Sequence, residues 1–500
     1  MNDLLFDIIQ SMSKNEKGFF KKNSRVHSAS NDKEYLRLFD VIDKMKQFDD
    51  KKLKKKTSRF IPPSLLPARK NYLKNILMKS MRQFKDSISH EMELNNRLSN
   101  MEILFRNRLI EHCKREIVIA KRLMENAELY NYFHAIAYWE RQLLNDGERS
   151  TMNEACSLSL AREESDASTK IMNIAAFERL AYRMYSITYA SGDLIVKETE
   201  NCLRELLSDP LLSSEKQART VTSKIIFNNI YSKYFEVTGD AEQMLHCLDR
   251  VIFLFEEHEK YKHAHISKYM NALYNNAKAC AWMGKSGRFD RLYRQLEEIP
   301  ALSETTLSPS FLRSHRLLMM NLRMHRMARD KMYADIICEI DVYHSSELYH
   351  VPSGYAMVRM ELQYFFAFSL FSAGQNKQAL KWLNILLENK NLRQDIVAYA
   401  RLMLLAIQYE LENDILLTYE LRSVKRYLEK SQRNGAFENN VLDFIRLLIN
   451  LNGNKVKVQG KLERIYHETK MMEQQTMTGK IYSEFSLIHW MEKKVKAKKR

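Results

Sequence analysis

The sequence predicts an all-α protein: a superhelical solenoid of antiparallel helix pairs, preceded by an N-terminal helical cap. Three observations support this prediction. The chain has only 12 glycines and 7 prolines in 500 residues. Glycines in its middle recur at a regular spacing, and amphipathic runs of helical period flank them. A sheet protein needs turn residues at intervals of roughly 8 to 12 residues, and this chain has too few to supply them.

The spacing of the glycines predicts the repeat. The regularly placed ones are Gly147, Gly192, Gly239, Gly284 and Gly374. The first four are separated by 45, 47 and 45 residues, and the last lies 90 residues, or two periods, beyond the fourth. The missing turn falls near Asp330, in a polar stretch. Glycine just after a helix adopts the left-handed conformation at little cost, and a period of 20 to 50 residues is typical of solenoids. We therefore expect residues 120–450 to be nearly all helical, with turns at these positions.

One repeat unit resembles the tetratricopeptide repeat. It runs from residue 365 to 383, with Ala367 seven residues before Gly374, Leu370 four before it and Ala379 five after it. The other units keep part of this pattern, with a longer period and without the family's closing proline. The resemblance implies a superhelix with long helices over residues 120–450. Segments 14–21 and 70–77 also resemble the opening of an uncharacterised bacterial helical-repeat family, which implies no activity.

The predicted organisation has three parts. Residues 1–100 form the N-terminal helical cap, with helices over 33–48 and 68–88 and a basic loop around Lys51–Ser58 between them. Residues 101–455 form the helical repeat array, and residues 456–500 form a C-terminal helix and a basic tail. Pro67 suits the first turn of the second cap helix.

The positive charge is concentrated near the two ends. The net charge is +17, of which residues 51–100 contribute +10 and residues 451–500 contribute +7, so the long middle is neutral. Runs of lysine stand at Lys51–Lys56 and at Lys493–Arg500. Such runs are either solvated surface or binding sites for nucleic acid, acidic proteins or anionic lipid.

Cysteine usage and the N-terminus favour a cytoplasmic protein. Six widely spaced cysteines form no Cys-x-x-Cys pair, so we expect reduced, mostly buried thiols and neither a zinc finger nor a redox dithiol. The N-terminus lacks a secretory signal. The most apolar stretch, residues 364–373, is about half the length that spans a bilayer.

Two near-motifs do not support catalysis. Residues 279–286 miss a phosphate-binding loop because Ala279 stands where its first glycine belongs. His258 and His263, at i and i+5, would point about 140° apart on a helix, so they cannot share a metal ion. We expect no enzyme activity, no cofactor and no metal.

One column of the repeat suggests a binding surface. Six residues before successive turns stand Lys233, Lys278 and Arg323, with Asn229 and Tyr274 one helical turn before the first two. In tetratricopeptide-like units this position faces the concave side. If these cations have no carboxylate partners, they could bind an acidic or carboxylate-bearing peptide through charge-assisted hydrogen bonds.

The sequence therefore favours a non-catalytic scaffold or adaptor that binds a protein or peptide on its concave face. The alternatives are a nucleic-acid- or ribosome-associated protein that uses basic residues 51–100 and the C-terminal tail, or a peptide-sensing regulator. Nothing in the sequence indicates an oligomeric state.

Overall fold

The computed structural model describes residues 3–12, 14–26, 33–45, 48–84, 89–146, 154–191, 197–302, 307–345, 348, 355–388, 394–431, 435–449, 455–475 and 487–497. Within these ranges the chain forms 24 α-helices and no β-strand, which confirms the predicted fold class. The chain divides into two compact units. The first comprises residues 1–124, 138–143 and 305–309, and the second comprises residues 125–137, 144–304 and 310–500.

The first unit is built from short amphipathic helices. In chain order they are α1 (Leu4–Ser11), α2 (Lys14–Val26), α3 (Lys33–Asp43), α4 (Asp50–Thr57), α5 (Leu66–Phe84), α6 (His90–Arg106) and most of α7 (Ile110–Asn126). Helices α1 to α5 share one apolar core, in which Phe20, Leu38, Phe39 and Leu73 are fully buried. As expected, Pro67 lies in the first turn of α5.

The predicted loop around Lys51–Ser58 is wrong, because Asp50–Thr57 is helix α4. The side chain of Asp49 accepts a hydrogen bond from the backbone N–H of Lys52 and so caps the helix N-terminus. Leu53 and Thr57, one helical turn apart, are both buried. The amphipathic pattern of this helix is not apparent from the sequence, because its two buried side chains stand among six charged ones.

The second unit contains the helical repeat array. Its helices are both ends of α8 (Phe133–Asp146), whose residues 138–143 belong to the first unit, and then α9 (Glu154–Ser191), α10 (Lys197–Leu207), α11 (Val221–Thr238), α12 (Ala241–Glu257), α13 (Glu259–Ala264), α14 (Ile266–Trp282), α15 (Ser286–Leu302), α16 (Pro309–Arg329), α17 (Tyr333–Ser345), α18 (Ala356–Ser372), α19 (Asn376–Leu387), α20 (Gln394–Glu410), α21 (Asp414–Lys430), α22 (Ala436–Ile449), α23 (Lys455–Gln475) and α24 (Ile488–Ala497). Short 3-10 helices lie at Tyr130–Tyr132, Pro210–Leu212 and Glu215–Gln217. From α11 onward, consecutive helices pack as antiparallel pairs and each pair packs on the next, as in an α-solenoid.

The turns between paired helices fall where the sequence predicts them. Gly239, Gly284 and Gly374 each follow the first helix of a pair and have a positive φ. The fourth turn follows Arg329 and places Lys331 at φ 58°. In this turn the backbone N–H of Met332 donates to the carbonyl of Met327 at 2.8 Å, the same closure that Gln375 makes with Leu370. Gly147 and Gly192 lie outside the described residues, directly after the ends of α8 and α9.

The interval between Gly147 and Gly192 does not contain the two helices that a 45-residue repeat of helix pairs implies. A single helix of 38 residues, α9, fills that interval. The segment has no glycine or proline between residues 154 and 191 that could interrupt it. Its apolar residues Phe177, Leu180 and Met184 pack against α10 and α11 instead.

The array has a continuous core, and α18 lies almost entirely within it, with its residues from Met360 to Phe371 buried. This burial explains the apolar stretch at residues 364–373. None of the helices in the described ranges is long and apolar enough to cross a bilayer.

All six cysteines are free thiols. The expectation that most are buried is only half met: Cys113, Cys247 and Cys280 are the three buried thiols, and the three exposed thiols are Cys156, Cys202 and Cys338. The exposed ones lie on α9, α10 and α17. The helical periodicity of the sequence alone does not show whether a small residue such as cysteine is buried or exposed.

Candidate functional site

The residues of the predicted binding column lie on the first helices of three successive pairs. Asn229 and Lys233 are on α11, Tyr274 and Lys278 on α14, and Arg323 on α16. This placement follows from their 45-residue spacing.

Their electrostatic environment differs from the prediction, because each of the three cations already has a carboxylate partner. The nitrogen–oxygen distances are 3.0 Å between Lys233 and Glu236, 2.5 Å between Lys278 and Glu361, and 3.0 Å between Arg323 and Glu339. The prediction of a row of unpaired cations is therefore wrong. Repeat spacing places a residue on a helix, but it does not reveal a partner 83 positions away, as Glu361 is from Lys278. That these residues bind a partner stays a prediction, but the presence of unpaired positive charge no longer supports it.

Lys278 and Glu361 belong to a buried polar network that joins α14, α16 and α18. Their side chains are 12% and 5% exposed. The hydroxyl of Tyr274 donates to Oδ1 of Asn321 at 2.7 Å, and Nδ2 of Asn321 donates to Oε2 of Glu361 at 3.3 Å. The ammonium of Lys278 also lies 5.0 Å from the ring centroid of Trp282. A buried charge pair is stabilised only when its remaining atoms are also hydrogen-bonded, and here the carboxylate has a partner on each oxygen.

His325 completes this network from α16. Its Nε2 lies 3.8 Å from Oε2 of Glu361, and its ring packs edge-on against Phe365 at a centroid distance of 4.8 Å. Burial lowers the pKa of His325, Glu361 opposes this shift and Lys278 adds to it. The ring is therefore neutral at pH 7. We interpret the network as an interior element that holds the first helices of three pairs in register, since it offers almost no surface to a ligand.

An open cavity of the second unit lies where helix α24 packs against the array. It encloses about 240 Å³ between the α18–α19 turn, the end of α20 and helix α24. We call it the α24 pocket. Its lining residues are Phe368, Phe371, Ser372, Gly374, Asn376, Glu410, His489, Trp490, Lys493 and Lys494.

Packing of α24 against the array builds the apolar wall of the α24 pocket. Trp490 is 7% exposed, and its ring contacts Phe371, Tyr409 and Phe444 at centroid distances of 6.5, 6.0 and 5.9 Å. Its Nε1 donates to Oε1 of Glu410 at 2.5 Å. Because the indole is held by both its ring and its nitrogen, the wall is rigid.

The charges around the α24 pocket do not cancel. Glu410 is neutralised by Lys494, whose Nζ lies 2.7 Å from its Oε1. Lys493 is exposed and makes no ion pair or hydrogen bond with the described part of the chain. Burial and the neighbouring Lys493 lower the pKa of His489, with further contributions from Lys331 and Lys496 in the same sense. The pocket rim is therefore electropositive.

The turn between α18 and α19 adds backbone donors to this rim. Gly374 has φ 77°, and a Cβ built on it would meet no atom within 4 Å, so the chain stays open to the cavity here. No side chain caps the N-terminus of α19. The first N–H groups of a helix lack partners within the helix, and they carry partial positive charge. The N-terminus of α19 therefore carries a partial positive charge, which adds to the charge of Lys493.

Sequence reasoning missed the α24 pocket because its lining comes from three stretches of the chain that are distant in sequence: residues 368–376, residue 410 and residues 489–494. The basic tail was recognised, but only as a run of lysines. The stretch from His489 to Lys494 contains a tryptophan within one turn of two lysines, and that pairing of an aromatic ring with cations was a usable signal.

The near-motifs have structural explanations. Residues 279–286 form the end of α14 and its turn at Gly284, with no strand before it in the described part of the chain. His258 and His263 are partly exposed beside Glu257 and Glu259, and the Nε2 of His265 shares a hydrogen bond with the carbonyl of Ala127 at 2.8 Å.

Comparison of the chain with models of protein families, with curated proteins and with solved structures found no match. The fold and the α24 pocket are therefore the basis for any statement about function.

Proposed function

We propose that the protein is a non-catalytic helical-repeat scaffold that binds a protein or peptide partner, and that the α24 pocket is a contact point for that partner. The observation that supports this proposal most is the α24 pocket itself: a rigid aromatic cavity with an electropositive rim. Interfaces are anchored by one or a few side chains in well-packed pockets, surrounded by polar contacts. A cavity of about 240 Å³ is below the usual range of roughly 300–1,000 Å³ for drug-sized ligands. It suits a single side chain of a longer partner.

The array also provides the rigidity that an adaptor needs. Helix α18 is buried along most of its length, and α24 is held on it by Trp490. A preorganised pocket loses little conformational entropy when it binds, which favours affinity.

A peptide-display selection tests the proposal. Random peptides are selected on the full chain, and the enriched ones are synthesised and titrated against the wild type and Ser372→Trp, which fills the α24 pocket. We expect enriched peptides to bind the wild type and to bind Ser372→Trp at least about tenfold more weakly. Ser423→Trp, at an exposed position of α21, is the matched control. If no peptide is enriched, or if both tryptophan variants bind equally well, the proposal is wrong.

A second candidate function is nucleic-acid binding by the first unit. On α4, Lys51, Lys55 and Lys56 are exposed and form no ion pair within the described residues, whereas Lys52 and Lys54 pair with Asp49 and Asp50. Three unpaired lysines on one helix are suited to phosphate contacts. This function requires RNA or DNA affinity that falls steeply with salt. Affinity that Lys51→Glu/Lys55→Glu leaves unchanged would exclude this surface.

A further inference from the structure

The α24 pocket has two chemically different halves that lie side by side. Phe368, Phe371 and Trp490 form an apolar wall, and Lys493 and the first turn of α19 form a cationic edge. We infer that the pocket takes one large apolar side chain of the partner together with the carboxylate next to it. This inference rests on the proposed function and specifies which part of the partner is recognised.

The apolar half can accept a ring or a branched aliphatic side chain. Aromatic walls favour such groups through buried area and through edge-to-face contacts between rings. The cavity volume of about 240 Å³ leaves room for one large side chain and a short polar group. Ser372 and Gly374 are small, so neither narrows the entrance.

The cationic half lacks an anion within the described residues. Glu410 is the acidic residue of the lining, and Lys494 and the indole N–H of Trp490 both already contact it. Lys493 therefore contributes a charge that nothing in the described lining balances. An incoming carboxylate would accept hydrogen bonds from Lys493 and from backbone N–H groups at the start of α19, and both are favourable to an anion.

Asn376 adds a polar contact of a different kind. Its Oδ1 is buried and has no hydrogen-bond partner among the described residues. A buried acceptor without a donor is energetically unfavourable. A backbone N–H of a bound peptide would supply this donor, as would a protonated nitrogen of any other ligand.

The carboxylate could come from a chain end or from an aspartate or glutamate side chain, and three peptides separate these sources. The probes are dye-labelled Gly-Ser-Gly-Ser-Phe with a free carboxylate, the same peptide with a terminal amide, and Gly-Ser-Phe-Asp-Gly with a terminal amide. Binding is followed by fluorescence anisotropy with the full chain. We expect one or both carboxylate-bearing peptides to bind at least about tenfold more tightly than the amide without a carboxylate, the effect of one charge-assisted hydrogen bond.

Variants connect this preference to the α24 pocket. Lys493→Ala should remove most of the difference between carboxylate and amide peptides, whereas Lys425→Ala, an exposed lysine of α21, should leave it unchanged. Equal binding of all three peptides would overturn the inference and leave the proposed function standing. Binding of N-acetylphenylalanine as tight as that of the peptides would support the inference and argue against a peptide-binding scaffold. No binding of any probe at millimolar concentration would overturn the inference.

Discussion

Replacing Lys278 by methionine should destabilise the protein strongly, although a lysine column on repeat helices suggests surface charge. The substitution leaves the carboxylate of Glu361, 5% exposed, without its cation. Breaking a buried ion pair by removing one partner costs about 3–5 kcal/mol. The loss of the cation–π contact with Trp282 adds to this cost.

Two further variants separate charge from packing. Lys425→Met removes a lysine whose pair with Glu429 is about half exposed at 3.7 Å, and it should cost no more than about 1 kcal/mol. In the Lys278→Met background, Glu361→Gln removes the unpaired buried charge and keeps a carbonyl acceptor for Asn321. This second change should recover about 2 kcal/mol of the loss.

Urea unfolding, followed by circular dichroism, measures these free energies with midpoint and slope fitted together. A repeat array can unfold in more than one step, so the comparison uses the transition that contains α14 to α18. If Lys278→Met costs less than about 1 kcal/mol, or if Glu361→Gln makes it worse, then the pair is not the buried network described above.

Three further predictions follow from other parts of the chain. Lys331→Gly should raise the free energy of unfolding by roughly 0.5–1 kcal/mol, because glycine adopts the positive φ of that turn without strain. Gly284→Ala should lower it by a similar amount, and urea unfolding measures both changes. Burial lowers the pKa of His325 and of His315 in the folded protein, so below about pH 6.5 the unfolded state binds more protons and stability falls with acidification. His325→Gln should therefore flatten this dependence of stability on pH between pH 7.5 and 5.5. At pH 8 a thiol reagent should modify the three exposed thiols rapidly and the three buried thiols slowly. Burial slows the reaction and raises the pKa of Cys247 and of Cys280 to about 11. Equal modification rates for all six thiols would contradict the packing.

The turns show how much of the fold was predictable from residue types. Glycine at the end of a helix has a specific backbone role, so Gly239, Gly284 and Gly374 identified their turns directly. Lys331 and Glu412 adopt the same left-handed conformation without being glycine. Repeat spacing and the polar stretch at residues 328–331 predict the first of these turns, and the polar pair Asn413–Asp414, about 40 residues after Gly374, predicts the second.

Features that depend on contacts between distant segments were not predictable. Helix α4 is stabilised by burial of Leu53 in the core of the first unit. The ion pair of Lys278 with Glu361 forms only because α18 packs beside α14 in one particular register. The α24 pocket depends on Trp490 folding back onto residues near 371 and 410. A single sequence specifies periodicity within a helix but contains no direct signal for which helices meet.

Hydrogen–deuterium exchange on the full chain, with and without a saturating selected peptide, tests the central claim most directly. The claim is that a partner binds in the α24 pocket, between the α18–α19 turn and α24. We expect slower exchange in residues 368–377 and 488–497 on binding, and no change in segments around Lys233. Protection confined to the helices that carry Lys233, Lys278 and Arg323, with none at Trp490, would contradict the account.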